Sequence, residues 1–371
     1  MNSLSLYLHF PFCKGKCRYC DFYSLPDISR VGEYEKALVR TISFFGEKYS
    51  DRSVSTVYFG GGTPSLMSSD GLKAILSAVR QSFCVEENAE ITMEMNPESA
   101  SNAILAAAKE AGVNRLSFGV QSAKDDELCS LGRLHRFCEA KDAVLRARGM
   151  GFSNISLDLM YGLPRQTMDS WRESLEKVVW LEPTHISFYC LTLSPTVPLY
   201  KERHLLPDDE ISWEMYLYAH SYMEETGFEH YEISNAAKPG FRSRHNEVYW
   251  QGGEYLGIGP GAHSLMDNTR FSTEEDLEKF ILASNPLDRL RWEEPRTREN
   301  LRTEYLMLSL RRKEGLSFEK LRLLSDDAFC RRAEKKLLFW EKGGLCRKTK
   351  EGYSLTAEGF FVSNEIISEL I

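Results

Sequence analysis

Between Tyr7 and Phe22 the chain reads Tyr-Leu-His-Phe-Pro-Phe-Cys13-Lys-Gly-Lys-Cys17-Arg-Tyr19-Cys20-Asp-Phe, three cysteines in one tight loop. Thiolates are soft ligands that select iron–sulfur clusters and zinc. Three at this spacing can hold three irons of a four-iron cluster and leave the fourth iron open to a small chelating molecule. Zinc competes, but a structural zinc site takes four protein ligands; no Cys or His pair nearby completes a tetrahedron, although His9 is within reach. Three incidental core cysteines are the remaining alternative. A second stretch, Arg244-His245-Asn246-Glu-Val-Tyr249-Trp250, places His245 and Tyr249 on one face if it is helical, and Asn246 and Trp250 likewise, at i and i+4. An imidazole beside large aromatics suits a porphyrin, with His245 as axial iron ligand. A hydrogen-bonded structural histidine uses the same residues. The glycine-rich run from Tyr255 to His263 that follows reads as a tight backbone turn, with His263 a second-choice iron ligand.

Elements that position these residues are legible in the hydrophobic pattern. From Leu4 to about Leu193, short apolar runs alternate with helical periods, the mark of successive βα units on a parallel sheet. The pattern predicts six strands, Leu4–Phe10, Val54–Phe59, Glu90–Met95, Arg115–Gly119, Asn154–Leu159 and His185–Leu191. Amphipathic stretches lie between them, at Glu33–Tyr49, Ser69–Phe83, Ala100–Gly112, Glu139–Gly149 and Met168–Leu181, with Gly112, Gly149 and Gly151 as stops. The strands run out into the cysteine loop, Gly60-Gly61-Gly62-Thr63-Pro64, Glu94-Met-Asn96-Pro97-Glu98, Gly119-Val-Gln121-Ser122 and Asp158-Leu-Met-Tyr161-Gly-Leu-Pro164. Parallel βα barrels carry their sites at the C-terminal ends of the strands, so these tails converge on one mouth.

Composition bounds the class. A chain of 371 residues, 42% hydrophobic, can build one large domain and a smaller one. Its net charge of -8 argues against wholesale nucleic-acid binding. The cysteines outside the loop (Cys84, Cys129, Cys138, Cys190, Cys330, Cys346) show no pairing pattern, which fits a reducing compartment. Met1–Ser5 has no signal-peptide character and no long apolar run follows. The expected location is cytoplasmic, or peripheral at a membrane.

Cys13, Cys17 and Cys20, with Tyr19 before the last cysteine, resemble the cluster signature of the radical S-adenosylmethionine (SAM) superfamily. The Tyr7-x-His9-x-Pro11-Phe12 run resembles its branch of oxygen-independent coproporphyrinogen III oxidases and HemW-type heme chaperones. The resemblance implies a 4Fe-4S cluster whose open iron is chelated by SAM. It carries SAM contacts over to Tyr7, Tyr19, Gly61, Gly62, Thr63, Glu94, Gln121, Arg133 and Asp158. The residue types suit those contacts, since glycines admit a close ligand, Glu94, Gln121 and Asp158 can satisfy an ammonium and ribose hydroxyls, and Arg133 can pair a carboxylate. His245-Asn246-x-x-Tyr249-Trp250 is similar at every defined position to the HNxxYW motif associated with heme binding in the HemW family.

Beyond the barrel, Phe228–Ser234 reads as a seventh extended segment after a helical Ile211–Gly227, and Asp267–Pro295 as a connector or an excursion on the barrel rim. Arg298–Arg312 is helical, with Leu301, Tyr305 and Leu308 on one apolar side. Further helices are expected at Phe318–Leu324, Phe329–Gly343 and Ala357–Leu370, with a hairpin over Cys346–Leu355. The expected architecture is an incomplete (β/α)6 radical SAM barrel over 1–265, a connector over 266–297 and a small, mostly helical, winged-helix-like unit over 298–371. Its local basic character (Arg331, Arg332, Lys335, Lys336, Lys342, Arg347, Lys348, Lys350) could serve acidic lipid, heme propionates or nucleic acid, or be a solvated face. The oxidase branch carries a further cysteine two residues after the third ligand, where this chain has Phe22, and a longer extension before Tyr7. With the full HNxxYW match, the resemblance implies a heme chaperone that passes heme to acceptor proteins, membrane respiratory enzymes among them. The alternatives are a coproporphyrinogen III oxidase acting in porphyrin metabolism and another radical SAM enzyme with a nucleic-acid substrate.

Overall fold

The computed structural model describes residues 3–371, the side chains of 293 and 294 excepted. The first half alternates as expected: β1 (Ser3–Phe10), α1 (Val31–Lys48), β2 (Ser53–Gly61), α2 (Ser69–Ser82), β3 (Cys84–Met95), α3 (Asn102–Glu110), β4 (Arg115–Gln121), α4 (Asp125–Ser130), α5 (Phe137–Gly149), β5 (Asn154–Tyr161), α6 (Met168–Trp180) and β6 (His185–Cys190). Each strand pairs in parallel with the next. Ser68, Ser101 and Thr167 cap α2, α3 and α6 by accepting a backbone N–H. Gly112 and Gly151 stop α3 and α5 with φ of +89° and +84°. Gly149, expected as a stop, is still the last residue of α5.

The chain continues through α7 (Asp209–Glu225), β7 (Glu229–Glu232), β8 (Asn235–Ala237), α8 (Arg244–Trp250), β9 (Tyr255–Ile258), β10 (His263–Met266), β11 (Thr269–Thr273), α9 (Leu277–Leu282) and β12 (Leu290–Pro295). One twelve-stranded sheet results, in the order β12-β11-β10-β9-β1-β2-β3-β4-β5-β6-β8-β7. It ends in two edges and does not close, so the barrel is incomplete. The extended segment expected after strand six is β7, which joins antiparallel through β8 rather than prolonging the parallel run. The stretch expected as a connector or rim excursion supplies two strands that pair antiparallel on the other edge.

Strand alternation divides the sheet into two unlike faces. Leu6, Leu8, Val57, Phe59, Ile91, Met93, Leu116, Phe118, Leu157, Ile186 and Phe188 are buried in one continuous core with the helices. Burying such side chains is worth about 1.5–3 kcal/mol each. The alternating positions Tyr7, Thr56, Tyr58, Thr92, Glu94, Ser117, Asp158 and Ser187 turn to the other face and lie side by side through the register, as in Glu94↔Ser117 and Asp158↔Ser187. A parallel sheet with both faces apolar reads as unbroken hydrophobic runs. Here the inner face is polar.

The C-terminal unit holds α10 (Arg298–Ser309), β13 (Leu316–Ser317), α11 (Phe318–Leu324), α12 (Asp327–Lys342), β14 (Cys346–Lys348), β15 (Gly352–Leu355), α13 (Ala357–Phe361) and α14 (Ser363–Leu370). The hairpin gains β13 as a third strand, completing a wing. The last expected helix is two: Val362, at φ -100° and ψ 23°, bends the chain so that Phe360 and then Ile366, Ile367 and Leu370 are all buried. Among the described residues no helix is long and apolar enough to cross a membrane.

Candidate functional site

The cysteine loop is closed on itself and clamped to the barrel. Leu25 N–H donates to Pro11 O (2.8 Å) and Cys13 N–H to Leu25 O (3.0 Å), pinching the loop at its base. Arg18 ties it outward: its N–H donates to Leu131 O (3.0 Å), and its carbonyl accepts from Leu199 N–H (2.9 Å). Cys13, Cys17 and Cys20 carry free, half-buried thiols. Among the described residues no three His, Cys, Asp or Glu side chains converge closely enough for one metal ion. The three thiols line one wall of a cleft.

That wall faces a cleft of about 410 Å³ lined also by Tyr19, Gly61, Gly62, Glu94, Gln121, Arg133 and Asp158, within the usual range for small-ligand sites. Most of the expected SAM set thus meets in one place. Two members stand behind the surface. Tyr7 bonds to His9 Nδ1 (3.1 Å), and the Thr63 hydroxyl donates to Cys13 Sγ (3.4 Å) while accepting from Asn96 (2.9 Å). The two glycines answer first to the chain itself: a Cβ on Gly61 (φ +109°) would lie 2.6 Å from the His9 ring, and one on Gly62 2.5 Å from Phe12 O. Gln121 takes a left-handed φ of 70°, a conformation costly for residues other than glycine and concentrated at functional sites.

The charges are arranged unequally. Glu94 accepts from Tyr58 Oη (2.7 Å) and Gly61 N–H (3.3 Å), yet burial pushes its carboxyl up to about 7. Burial raises Asp158 as well, against the Ser117 hydroxyl (3.2 Å) that favours its ionised form. Arg133 reaches Asn96 Oδ1 (2.6 Å), Gly119 O (2.8 Å) and Cys17 Sγ (3.5 Å), and its Nε has no partner among the described residues. A guanidinium with an unused donor beside soft thiols suits an anionic cluster and a carboxylate ligand. Three unpaired thiols, this cation and a polar, partly neutral inner face fit a 4Fe-4S cluster with SAM.

Helix α8 packs inside the barrel against β2 and β3. His245 is buried and stacks on Tyr58 at 4.9 Å between centroids. Its Nδ1 lies 2.7 Å from Thr56 Oγ1 and its Nε2 2.9 Å from Tyr249 Oη. Thr56 spends its proton on Ser5 (2.8 Å), so Nδ1 is the donor to Thr56, and the Nε2 lone pair accepts from Tyr249. Burial, aided by the Arg115 charge, pushes His245 down to about 3 and keeps it neutral. An iron at Nε2 would have to displace the Tyr249 hydroxyl. Asn246 and Trp250 are half-buried, and Trp250 lies near the buried Glu232, whose carboxyl burial pushes up to about 7. His263 lies exposed on β10, across β9 and β1 from β2.

Several residues to which the sequence assigned no ligand role join the site. Tyr58 and Asn96 bond to Glu94 and Arg133, and Glu90 holds the start of α8 by accepting from the N–H groups of Arg244 and His245 (both 3.1 Å). Tyr58 and Glu90 sit at alternate strand positions shared with Thr56 and Glu94, the one signal that could have found them.

Comparison with known proteins matches residues 7–178 to a model of the Radical SAM superfamily and 297–362 to the HemN C-terminal domain. The chain is similar to the heme chaperone HemW of Bacillus subtilis (34% identity, 99% of each chain) and of Escherichia coli (40%, over 70% of this chain and 69% of that one). It is also similar to mouse mitochondrial radical S-adenosyl methionine domain-containing protein 1 (40%, 70% and 60%). In structure it resembles Escherichia coli coproporphyrinogen III oxidase, HemN, a radical SAM enzyme, with a TM-score of 0.86 at 23% identity, covering 100% of this chain and 90% of that one.

Proposed function

Because the chain belongs to the HemW heme-chaperone family of the radical SAM superfamily, we propose that it binds heme together with a SAM-ligated 4Fe-4S cluster and hands the heme to acceptor proteins. Cys13, Cys17 and Cys20 hold the cluster. Tyr19, Gly61, Gly62, Glu94, Gln121, Arg133 and Asp158 bind SAM, supported from behind by Tyr7 and Thr63. When bound, the cluster and SAM supply one-electron chemistry, and the chain's part is to position and insulate them. Heme is held through the HNxxYW helix, His245, Asn246, Tyr249 and Trp250, with His245 Nε2 as iron ligand once Tyr249 turns aside. Acceptors are heme proteins, membrane respiratory enzymes among them, reached from the cytoplasm or from a peripheral position at the membrane.

The observation that carries this reading is likeness to proteins named heme chaperones along the whole chain, with Phe22 exposed at the cleft where the oxidase branch has another cysteine. The likeness to the oxidase supports the fold. The test is anaerobic: reconstitute the cluster, add SAM and a reductant, and offer heme and coproporphyrinogen III in parallel. Heme bound without decarboxylation is the expected result; turnover of coproporphyrinogen III would make the protein an oxidase. His245→Ala is expected to lower heme affinity at least tenfold while leaving the cluster absorbance intact, and unchanged affinity would remove His245 from the site.

A further inference from the structure

A cleft of about 910 Å³ lies away from the SAM cleft, where the end of α8 meets the C-terminal unit. Its apolar wall is built by Trp250, the last residue of the HNxxYW motif, with Leu301, Tyr305 and Leu308 of α10. These α10 residues are the helical stripe that the sequence marks as apolar. Leu306 on the same helix and Leu310 just past its end enter the core, whereas Leu301, Tyr305 and Leu308 remain half-buried and face this opening. The Tyr305 hydroxyl is already engaged, accepting from Ser317 N–H (2.9 Å) and donating to Ser317 O (3.1 Å), so its ring is what it offers.

The rim is cationic in a particular way. Arg296 is paired with Glu304 (2.8 Å), Arg312 with Glu314 (3.2 Å) and Lys313 with Glu229 (3.0 Å). Lys320 and Lys350 are exposed on the rim and make no ion pair among the described residues. A cleft that is apolar and aromatic on the side of Trp250 and α10, with two uncommitted ammonium groups on a rim that also carries the Glu351 carboxylate, complements a flat hydrophobic ligand bearing two carboxylates.

We propose that this cleft is the cradle of the tetrapyrrole ring, with the macrocycle against Trp250, Leu301, Tyr305 and Leu308 and the propionates on Lys320 and Lys350. The inference rests on the heme reading above and adds to it a separation of roles. His245 is not on the cleft wall, so a ring seated here is held by ring contact and propionate pairing, in a seat distinct from the His245 ligation position at the other end of α8. The cradle therefore accepts a porphyrin without iron.

The test titrates hemin and iron-free protoporphyrin IX into the full-length protein and into two variants, Lys320→Glu with Lys350→Glu, and Leu308→Arg. Wild type is expected to bind both ligands, and each variant to lose at least tenfold in affinity for both, with circular dichroism and SAM binding unchanged. Charge reversal at two exposed lysines leaves the core untouched, so that arm stays informative if Leu308→Arg misfolds. Wild-type affinity for both ligands in the charge-reversed protein would overturn the cradle while the heme reading stands. Binding of hemin but not protoporphyrin IX would overturn it too, since coordination would then carry the affinity. No binding of hemin by wild type would instead defeat the heme reading itself.

Discussion

At the scale of single residues, Glu94 links the two ends of the site. Its carboxyl, raised to about 7 by burial, also feels the Asp158 charge, and is opposed by Tyr58 and Gly61, which donate to the ionised form. A group whose folded pKa lies above its ordinary value stabilises the fold below the ordinary carboxylate range, and that contribution is lost as pH rises through about 7. A ligand ammonium reverses the preference by favouring the carboxylate. SAM affinity of the reconstituted protein is therefore expected to rise as pH passes through about 7 and to level off above it. Tyr58→Phe removes a donor worth about 1.5–3 kcal/mol to a charged partner, so affinity near neutrality falls roughly tenfold or more and the profile moves to higher pH. Calorimetric titrations across this range check both; a flat profile in wild type would sever Glu94 from the ammonium. The cysteines, glycines and carboxylates were legible in the sequence because their type alone announces chemistry. Tyr58, Thr56 and Glu90 were not: their importance comes from strand register and from a helix brought in 189 residues from Thr56 to His245.

At the scale of elements, α8 has seven residues, far too few to be stable alone. It persists because its first turn is tied to the sheet. Glu90 on β3 accepts from its first two amides, Ser243 caps it by accepting from Asn246 N–H, and His245 bonds to Thr56 on β2. The Glu90 carboxylate also faces the positive end of the helix dipole. Glu90→Ala removes both acceptors at a cost on the order of 3 kcal/mol, while Glu90→Gln keeps one. The expected order of thermal stability is wild type, Gln, Ala, with heme affinity following the same order; equal melting temperatures for wild type and Ala would mean that α8 is held elsewhere. The six parallel strands were readable because their core faces are uniformly apolar. The break at Val362 was not, because both halves keep a helical period and only packing against the wing decides where the chain bends.

At the scale of the whole molecule, the C-terminal unit is joined to the barrel through one edge of the great sheet. The segment after α10 lies along β7: Ile233 N–H donates to Arg311 O (3.0 Å) and Lys313 N–H to Tyr231 O (2.9 Å). Arg242 fastens the seam, reaching Glu229 on β7 (2.8 Å), Glu247 on α8 (3.4 Å) and Glu314 beyond α10 (2.7 Å). A lone surface ion pair contributes little, but one guanidinium shared by three carboxylates is a network. It also connects the motif helix, the sheet edge and the unit that closes the tetrapyrrole cleft. Arg242→Ala is expected to loosen this seam by about 1–2 kcal/mol, a roughly tenfold faster hydrogen exchange at the Ile233 and Lys313 amides, with β1 to β6 unchanged. The same variant is expected to weaken heme binding, since α8 and α10 both line the proposed cleft, while SAM affinity stays at the wild-type value because the cleft residues at the strand ends do not touch the seam. Exchange that accelerated equally in β1 to β6 would mean that barrel and C-terminal unit unfold as one body and that Arg242 is not a local fastener.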